Sequence, residues 1–145
     1  MGAAYFDSSA LLSVVLKETR ADELSKLWEK TERKVSSILL EAECWIGLRR
    51  QWAREGSAPD AEWMAERSEY LSGVLSELDV KPVDGTILSM IRNEPILAEC
   101  RTLDAVHLAT ALLFKSKSDD GFSLVTLDQR MRLTARRLRL EVLPL

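Results

Sequence analysis

The sequence predicts an α/β fold in which a parallel sheet is covered by helices on both faces. Two observations lead there. Short apolar runs such as Ala3-Ala4-Tyr5-Phe6 and Ser123-Leu124-Val125-Thr126 alternate with longer stretches whose apolar residues recur every three or four positions. Asp or Ser lies just beyond several of these runs, so a strand reads directly into a capped helix.

Ala3–Phe6 is a buried strand ending at Asp7, and Asp7, Ser8 or Ser9 caps the helix that carries Ala10-Leu11-Leu12. A helix follows over about 22–32, then a strand at Val35-Ser36-Ser37, and Ser36 or Ser37 caps a helix reaching about Arg54. Gly56-Ser57-Ala58-Pro59 breaks the pattern before a helix over about 60–78 and a third strand over 79–83. Asp84 caps a helix through Ile91, which Asn93-Glu94-Pro95 ends, because the residue before a proline disfavours helical backbone. Thr102 opens the clearest helix, with Leu103, Val106, Ala109, Thr110 and Leu113 at helical spacing. An Asp119-Asp120-Gly121 turn leads to a strand over 123–126, a helix from Asp128 to about Leu138, and a closing strand over 140–143. No repeat or linker interrupts the 145 residues, which read as a single domain, 1-145.

Composition narrows the function. With 46% hydrophobic and 30% charged residues the chain is ordinary for a folded soluble protein. No apolar run approaches the ~20 residues of a membrane span. The start, Met-Gly-Ala-Ala-Tyr-Phe-Asp, lacks the basic and apolar segments of a secretion signal, so a cytoplasmic location is expected. Cys44 and Cys100 are too few and too far apart for a disulfide framework or a zinc site, and read as small buried residues. One histidine, His107, would have to carry any histidine-paired nucleophile. The net charge of −3 argues against a general polyanion-binding surface, but not against RNA at a local patch.

Four acids stand where open parallel sheets form their sites, outside the carboxyl ends of the strands. Asp7 closes the first strand and Asp128 follows the fourth; Glu43 and Asp104 lie in the first turns of the helices after Ser37 and Arg101. Each alone reads equally as a helix cap or an early-turn acid favoured by the helix dipole. Together they suggest one pocket, where mutual repulsion would be relieved by a hard, oxygen-liganded cation, Mg²⁺ or Mn²⁺. Such ions serve phosphodiester hydrolysis by activating water and stabilising the departing oxygen.

Four segments resemble a known family. Tyr5-Phe6-Asp7-Ser8-Ser9-Ala10-Leu11 is similar to the opening motif of PIN-domain toxins of the VapC group. Ser36-Ser37 with Glu43, then Leu48-Arg49-Arg50, resembles their second motif. Arg101-Thr102-Leu103-Asp104-Ala105-Val106-His107-Leu108-Ala109-Thr110-Ala111 is the closest match, and Leu124-Val125-Thr126-Leu127-Asp128 with Arg130 resembles the fourth. The likeness spans nearly the whole chain and is weakest over 56–100. It implies a three-layer α/β/α fold, divalent-metal endoribonuclease activity, homodimers, and inhibition by a small VapB-type antitoxin. It further implies a metal site of Asp7, Glu43, Asp104 and Asp128, with Ser9 and Thr126 as supporting hydroxyls.

The glutamate stays open between Glu41 and Glu43, which lie about 200° apart on a helix and cannot share a face. The helical wheel puts Glu41 between Leu48 and Trp52, in the apolar arc; the motif points to Glu43. His107 is expected to pack or hydrogen-bond rather than catalyse. Ile38, Trp45 and Trp52 repeat every seven positions as a core or subunit-contact stripe. Arg130, Arg132, Arg136, Arg137 and Arg139 form either a solvated face or a phosphate-contacting rim. An antitoxin would place a cationic side chain among the acids and an apolar segment against Leu11, Leu12, Trp45 and Trp52. Two rival classes remain: a receiver-like phosphoacceptor domain, for which Asp84 lacks a preceding apolar strand, and an inactive RNA- or protein-binding module of the same fold.

Overall fold

The computed structural model describes residues 2–55, 61–118 and 121–145. In chain order it contains β1 (Ala3–Phe6), α1 (Ser8–Val15), α2 (Ala21–Lys30), β2 (Arg33–Ser37), α3 (Leu39–Arg54), α4 (Ala61–Ser76), β3 (Asp79–Lys81) and α5 (Gly85–Asn93). A 3-10 turn (Pro95–Glu99), α6 (Thr102–Ser116), β4 (Phe122–Val125), α7 (Gln129–Arg137) and β5 (Glu141–Leu143) complete it. The strands lie in the order β3-β2-β1-β4-β5, and every described pairing is parallel.

The register sets Tyr5 beside Val35 of β2 and Leu124 of β4. Side chains alternate along a strand, so Ala4 and Phe6 pack with Leu11, Leu40, Leu48 and Leu71 from α1, α3 and α4. Tyr5 faces the other way, into a second core with Val35, Ile87, Leu108 and Leu124. The architecture is therefore three-layer α/β/α. From β1 the chain runs out to β3 with α1–α4 on one face, then returns to β4 and β5 with α5–α7 on the other. Helices diverge where that direction reverses, between β1 and β4, and a crevice opens at the strands' carboxyl ends.

Several boundaries differ from expectation for local reasons. α2 stops at Lys30 because Thr31 turns extended (ψ 122°) and its hydroxyl donates to the Leu27 carbonyl. β3 ends before Pro82, which has no N–H to give the ladder. Residue 38, not 36 or 37, occupies the cap position of α3. Ser36 instead donates to the Phe6 carbonyl, while the Ser37 hydroxyl accepts the Leu39 N–H. The 3-10 turn was not anticipated; Pro95 supplies its first residue and the Glu94 carboxylate accepts the Ile96 N–H. The expected break at 56–59, helix start at 60 and turn at 119–120 lie outside the described residues.

The buried ridge of α3 is Leu40, Cys44 and Leu48, not the heptad stripe: Ile38 is half exposed and Trp45 only borders the core. The i, i+4 row is one of the ridges by which a helix packs, and Ile38 and Trp45 lie to one side of it. Cys44 is buried as expected, Cys100 only partly, and both are free thiols. Among the described residues, no helix is long and apolar enough to cross a membrane.

Leu48 is fully buried between α3 and the sheet, whereas Leu133 on α7 is 63% exposed. Leu48→Ala should cost about 2–5 kcal/mol of unfolding free energy, and Leu133→Ala should stay within about 0.5 kcal/mol of the parent. Urea unfolding of the two variants measures both; equal losses would mean the α3 core is packed differently.

Candidate active site

The crevice holds a cleft of about 360 Å³, and Asp7, Glu43, Asp104 and Asp128 all line it, with Ser9, Arg101 and His107. Each arrives from a different element. Asp7 leaves β1 and caps α1, accepting the Ala10 N–H at 3.1 Å. Asp128 follows β4 and caps α7, accepting the Met131 N–H at 3.0 Å. Asp104 stands in the first turn of α6 as expected, whereas Glu43 projects from the second turn of α3, because that helix already starts at Leu39 and Glu41 takes the first turn. Capping and site placement are thus the same geometry for Asp7 and Asp128: both meet the positive end of a helix.

Asp7 is the deepest of the four, 3% exposed. One carboxylate oxygen accepts the Ser9 hydroxyl at 2.7 Å and the other accepts the Thr126 hydroxyl at 2.6 Å. Burial pushes its carboxyl above the ordinary Asp range, and the bonds from Thr126, Ser9 and Ala10 pull it partly back. Both hydroxyls are themselves held: Ser9 accepts the Leu127 N–H at 2.9 Å, and Thr126 accepts the Asp128 N–H at 3.1 Å. Ser9 and Thr126 therefore connect the loops after β1 and β4.

Asp104 and Asp128 share a cation. The Arg101 guanidinium donates to Asp104 at 3.0 Å and approaches Asp128 to 3.6 Å, while its own side chain is 64% exposed. Arg101 was not singled out from the sequence, where it reads only as part of the third motif. Its position before the helix, three residues from Asp104, is the signal.

The two glutamates separate. Glu43 faces the cleft, its Oε1 2.5 Å from His107 Nε2; Glu41 is exposed and accepts the Trp45 indole N–H at 3.3 Å. The wheel's apolar arc for Glu41 fails because the buried ridge runs through Leu40 and Cys44 instead. His107 is buried and hydrogen-bonded at both nitrogens, the second to the Tyr5 hydroxyl. Asp84 stands apart, half-buried, capping α5 and paired with Lys81 at 2.9 Å.

The basic rim is partly corrected. Arg132 is buried and donates to the Thr126 and Pro144 carbonyls, and the Arg137 guanidinium is bound to Glu99, so neither is a free phosphate contact. The anticipated apolar groove also divides. Leu11 is in the core, Leu12 lines a groove with Leu16, Trp63 and Leu127 that shares Ser9 and Asp128 with the cleft, and Trp45 lies on another patch beside Ile46.

An all-oxygen donor set with adjacent hydroxyls suits a hard divalent cation, and Arg101 shows that this end of the cleft already draws positive charge. Among the described residues, however, no three acid, His or Cys side chains are gathered as a ready-made ligand set. The acids fit such a cation through their chemistry and shared cleft.

The PIN domain family model matches residues 4–137. "Ribonuclease VapC46" of Mycobacterium tuberculosis (strain ATCC 25618 / H37Rv) is 34% identical over 143 residues, covering 99% of this chain and 98% of that protein. A solved "Toxin-antitoxin complex from Klebsiella pneumoniae" superposes with a TM-score of 0.59 at 16% identity, covering 88% of each chain, and shares the fold.

Asp7 gives a pH signature. Its folded-state pKa is raised, so it stabilises the cation-free protein below the ordinary Asp value, and that contribution is lost as pH climbs to the raised value. Asp7→Asn should therefore melt higher than the parent at neutral pH in chelator, with the gain vanishing in acid. Melting curves across pH check this, and a variant less stable at neutral pH would overturn it.

Proposed function

The chain belongs to the PIN-domain family, and from that premise we propose that it is a Mg²⁺-dependent endoribonuclease, the toxin of a type II toxin–antitoxin pair. The observation that carries this reading is the convergence of Asp7, Glu43, Asp104 and Asp128 on one cleft. The near-full-length likeness to a protein named a ribonuclease supports the activity. The likeness to a chain of a toxin–antitoxin complex supports the fold in which it would be carried out.

In this reading Asp7, Glu43, Asp104 and Asp128 hold the cation, Mg²⁺ or Mn²⁺, directly or through water. When bound, it supplies an activated water and neutralises charge on the departing oxygen of RNA. The protein's own part is placement. Ser9 and Thr126 keep both Asp7 oxygens oriented by hydroxyl donors. The N-termini of α1, α6 and α7 lower the cost of gathering the acids. Arg101, paired with Asp104 and close to Asp128 at the exposed edge of the cleft, would be available to an RNA phosphate if those acids held a cation instead.

The partners proposed are RNA, a small VapB-type antitoxin, a second copy of the chain as a homodimer, and no membrane, with a cytoplasmic place of action. The contacts of Arg101 with Asp104 and Asp128 support a mode of inhibition in which a guanidinium from the antitoxin, bridging the same carboxylates, would compete with the cation.

Asp104→Asn and Glu43→Gln should each reduce Mg²⁺-dependent RNA cleavage to background in folded protein, while exposed Glu41→Gln leaves the rate unchanged. Side-by-side cleavage kinetics decide this, and an active Asp104→Asn enzyme would sink the site. Arg101→Gln removes the internal competitor, so Mn²⁺ should bind a few-fold more tightly by titration calorimetry. Weaker binding would mean the guanidinium helps to assemble the site instead.

A further inference from the structure

Beneath the cleft a chain of hydrogen bonds crosses from one helical layer to the other. It starts at the Ser37 N–H at the end of β2, which donates to the Tyr5 hydroxyl oxygen at 3.1 Å. That oxygen lies 2.5 Å from His107 Nδ1, and His107 Nε2 lies 2.5 Å from Glu43 Oε1. Tyr5 and His107 are both buried, with their rings edge to face at 5.8 Å, so neither can turn away without opening the core.

The proton order along this chain follows from the donor inventory. The Tyr5 phenol is fully buried, and a phenol has one proton to give and an oxygen that accepts. The Ser37 N–H donates to the phenol oxygen, the neighbouring Ser36 hydroxyl gives its own proton to the Phe6 carbonyl, and the phenol proton has His107 Nδ1 at 2.5 Å. A neutral imidazole that accepts at Nδ1 carries its hydrogen on Nε2, where the Glu43 carboxylate is the acceptor. Each group in turn leaves the next with one role.

We infer that Tyr5 and His107 are positioning residues for Glu43: they fix the Nε2–H tautomer, which pins Oε1 and leaves the other carboxylate oxygen to the cleft for a cation. No hydrogen bond to that second oxygen is present among the described residues. The arrangement turns about the usual one, in which a carboxylate orients a metal-binding histidine; here a histidine orients the carboxylate. It explains why a lone histidine sits one turn after Asp104 yet has no free nitrogen. The inference rests on the reading of Glu43 as a cation-site residue.

The chain has a single histidine, so nitrogen-15 spectra of the imidazole report on His107 without assignment. The expected wild-type signature is one protonated nitrogen, Nε2. Tyr5→Phe should lose that fixed tautomer and weaken Mn²⁺ binding, read by electron paramagnetic resonance, by roughly 10- to 100-fold. His107→Gln, which keeps an N–H donor facing Glu43, should retain more affinity than His107→Leu. An Nδ1–H tautomer or a doubly protonated ring in the wild type overturns the proton order. Mn²⁺ affinity that depends on Glu43 but ignores both Tyr5→Phe and His107→Leu overturns the positioning role alone. Affinity indifferent to Glu43→Gln overturns the cation-site reading and the inference with it.

Discussion

The structure turns on the cost of bringing four carboxylates to one crevice, one of them almost wholly out of water. Unpaired, a buried carboxylate would protonate or force the site apart. Every element around Asp7 answers that cost. Two hydroxyls and a helix N–H donate to it, and the hydroxyls are held by backbone N–H groups of Leu127 and Asp128. The loops after β1 and β4 are thereby joined through the solvation of one side chain. Asp104 and Asp128, nearer to water, share the exposed charge of Arg101 instead. The gradient is physical: fixed dipoles where water is excluded, a solvated cation where it is not.

Arg132 extends this support from behind. Its buried guanidinium donates to the Thr126 and Pro144 carbonyls, and burial lowers its pKa. Carbonyl oxygens satisfy its N–H groups without offering a carboxylate. Thr126 is thus gripped on both sides, its carbonyl by Arg132 and its hydroxyl at Asp7. The segment after β5 takes part through Pro144, so the end of the described chain is tied to the crevice rather than simply covering the sheet. Such a clamp fixes the loop after β4 without adding a charge that faces the cleft.

Much of this was legible from the residues. The strand-then-cap pattern at Phe6-Asp7 and the clear helix from Thr102 located the sheet ends and thus the crevice, because backbone geometry at those points is dictated locally. The failures are long-range. Arg132 reads as a basic surface residue because nothing in sequence says that the Pro144 carbonyl will meet it. The wheel placed Glu41 in an apolar arc by averaging over Leu48 and Trp52, whereas the sheet selects the Leu40, Cys44 and Leu48 ridge. Tyr5 looked like one more apolar residue in a buried strand. A fully buried phenol needs a partner, and that requirement was the available hint.

Tyr5 also shows why this fold keeps its two helical layers in register at the crevice. Period-two alternation sends Ala4 and Phe6 to the α1–α4 face and Tyr5 to the α5–α7 face, so the sheet lies between the two cores. Packing against opposite faces of a sheet leaves each layer free to settle separately, and apolar contacts are not directional enough to set a carboxylate to within a fraction of an ångström. At the strand ends the sheet stops and side chains can pass over its edge. There Glu43 from α3 meets His107 from α6, and Asp7 from β1 meets Thr126 beyond β4. These polar bridges lie where the layers are no longer separated by backbone, and hydrogen bonds have the direction that packing lacks. The crevice is thus a place where the two halves of the fold are set against each other by directional bonds, and Asp7 and Glu43 stand on those bridges.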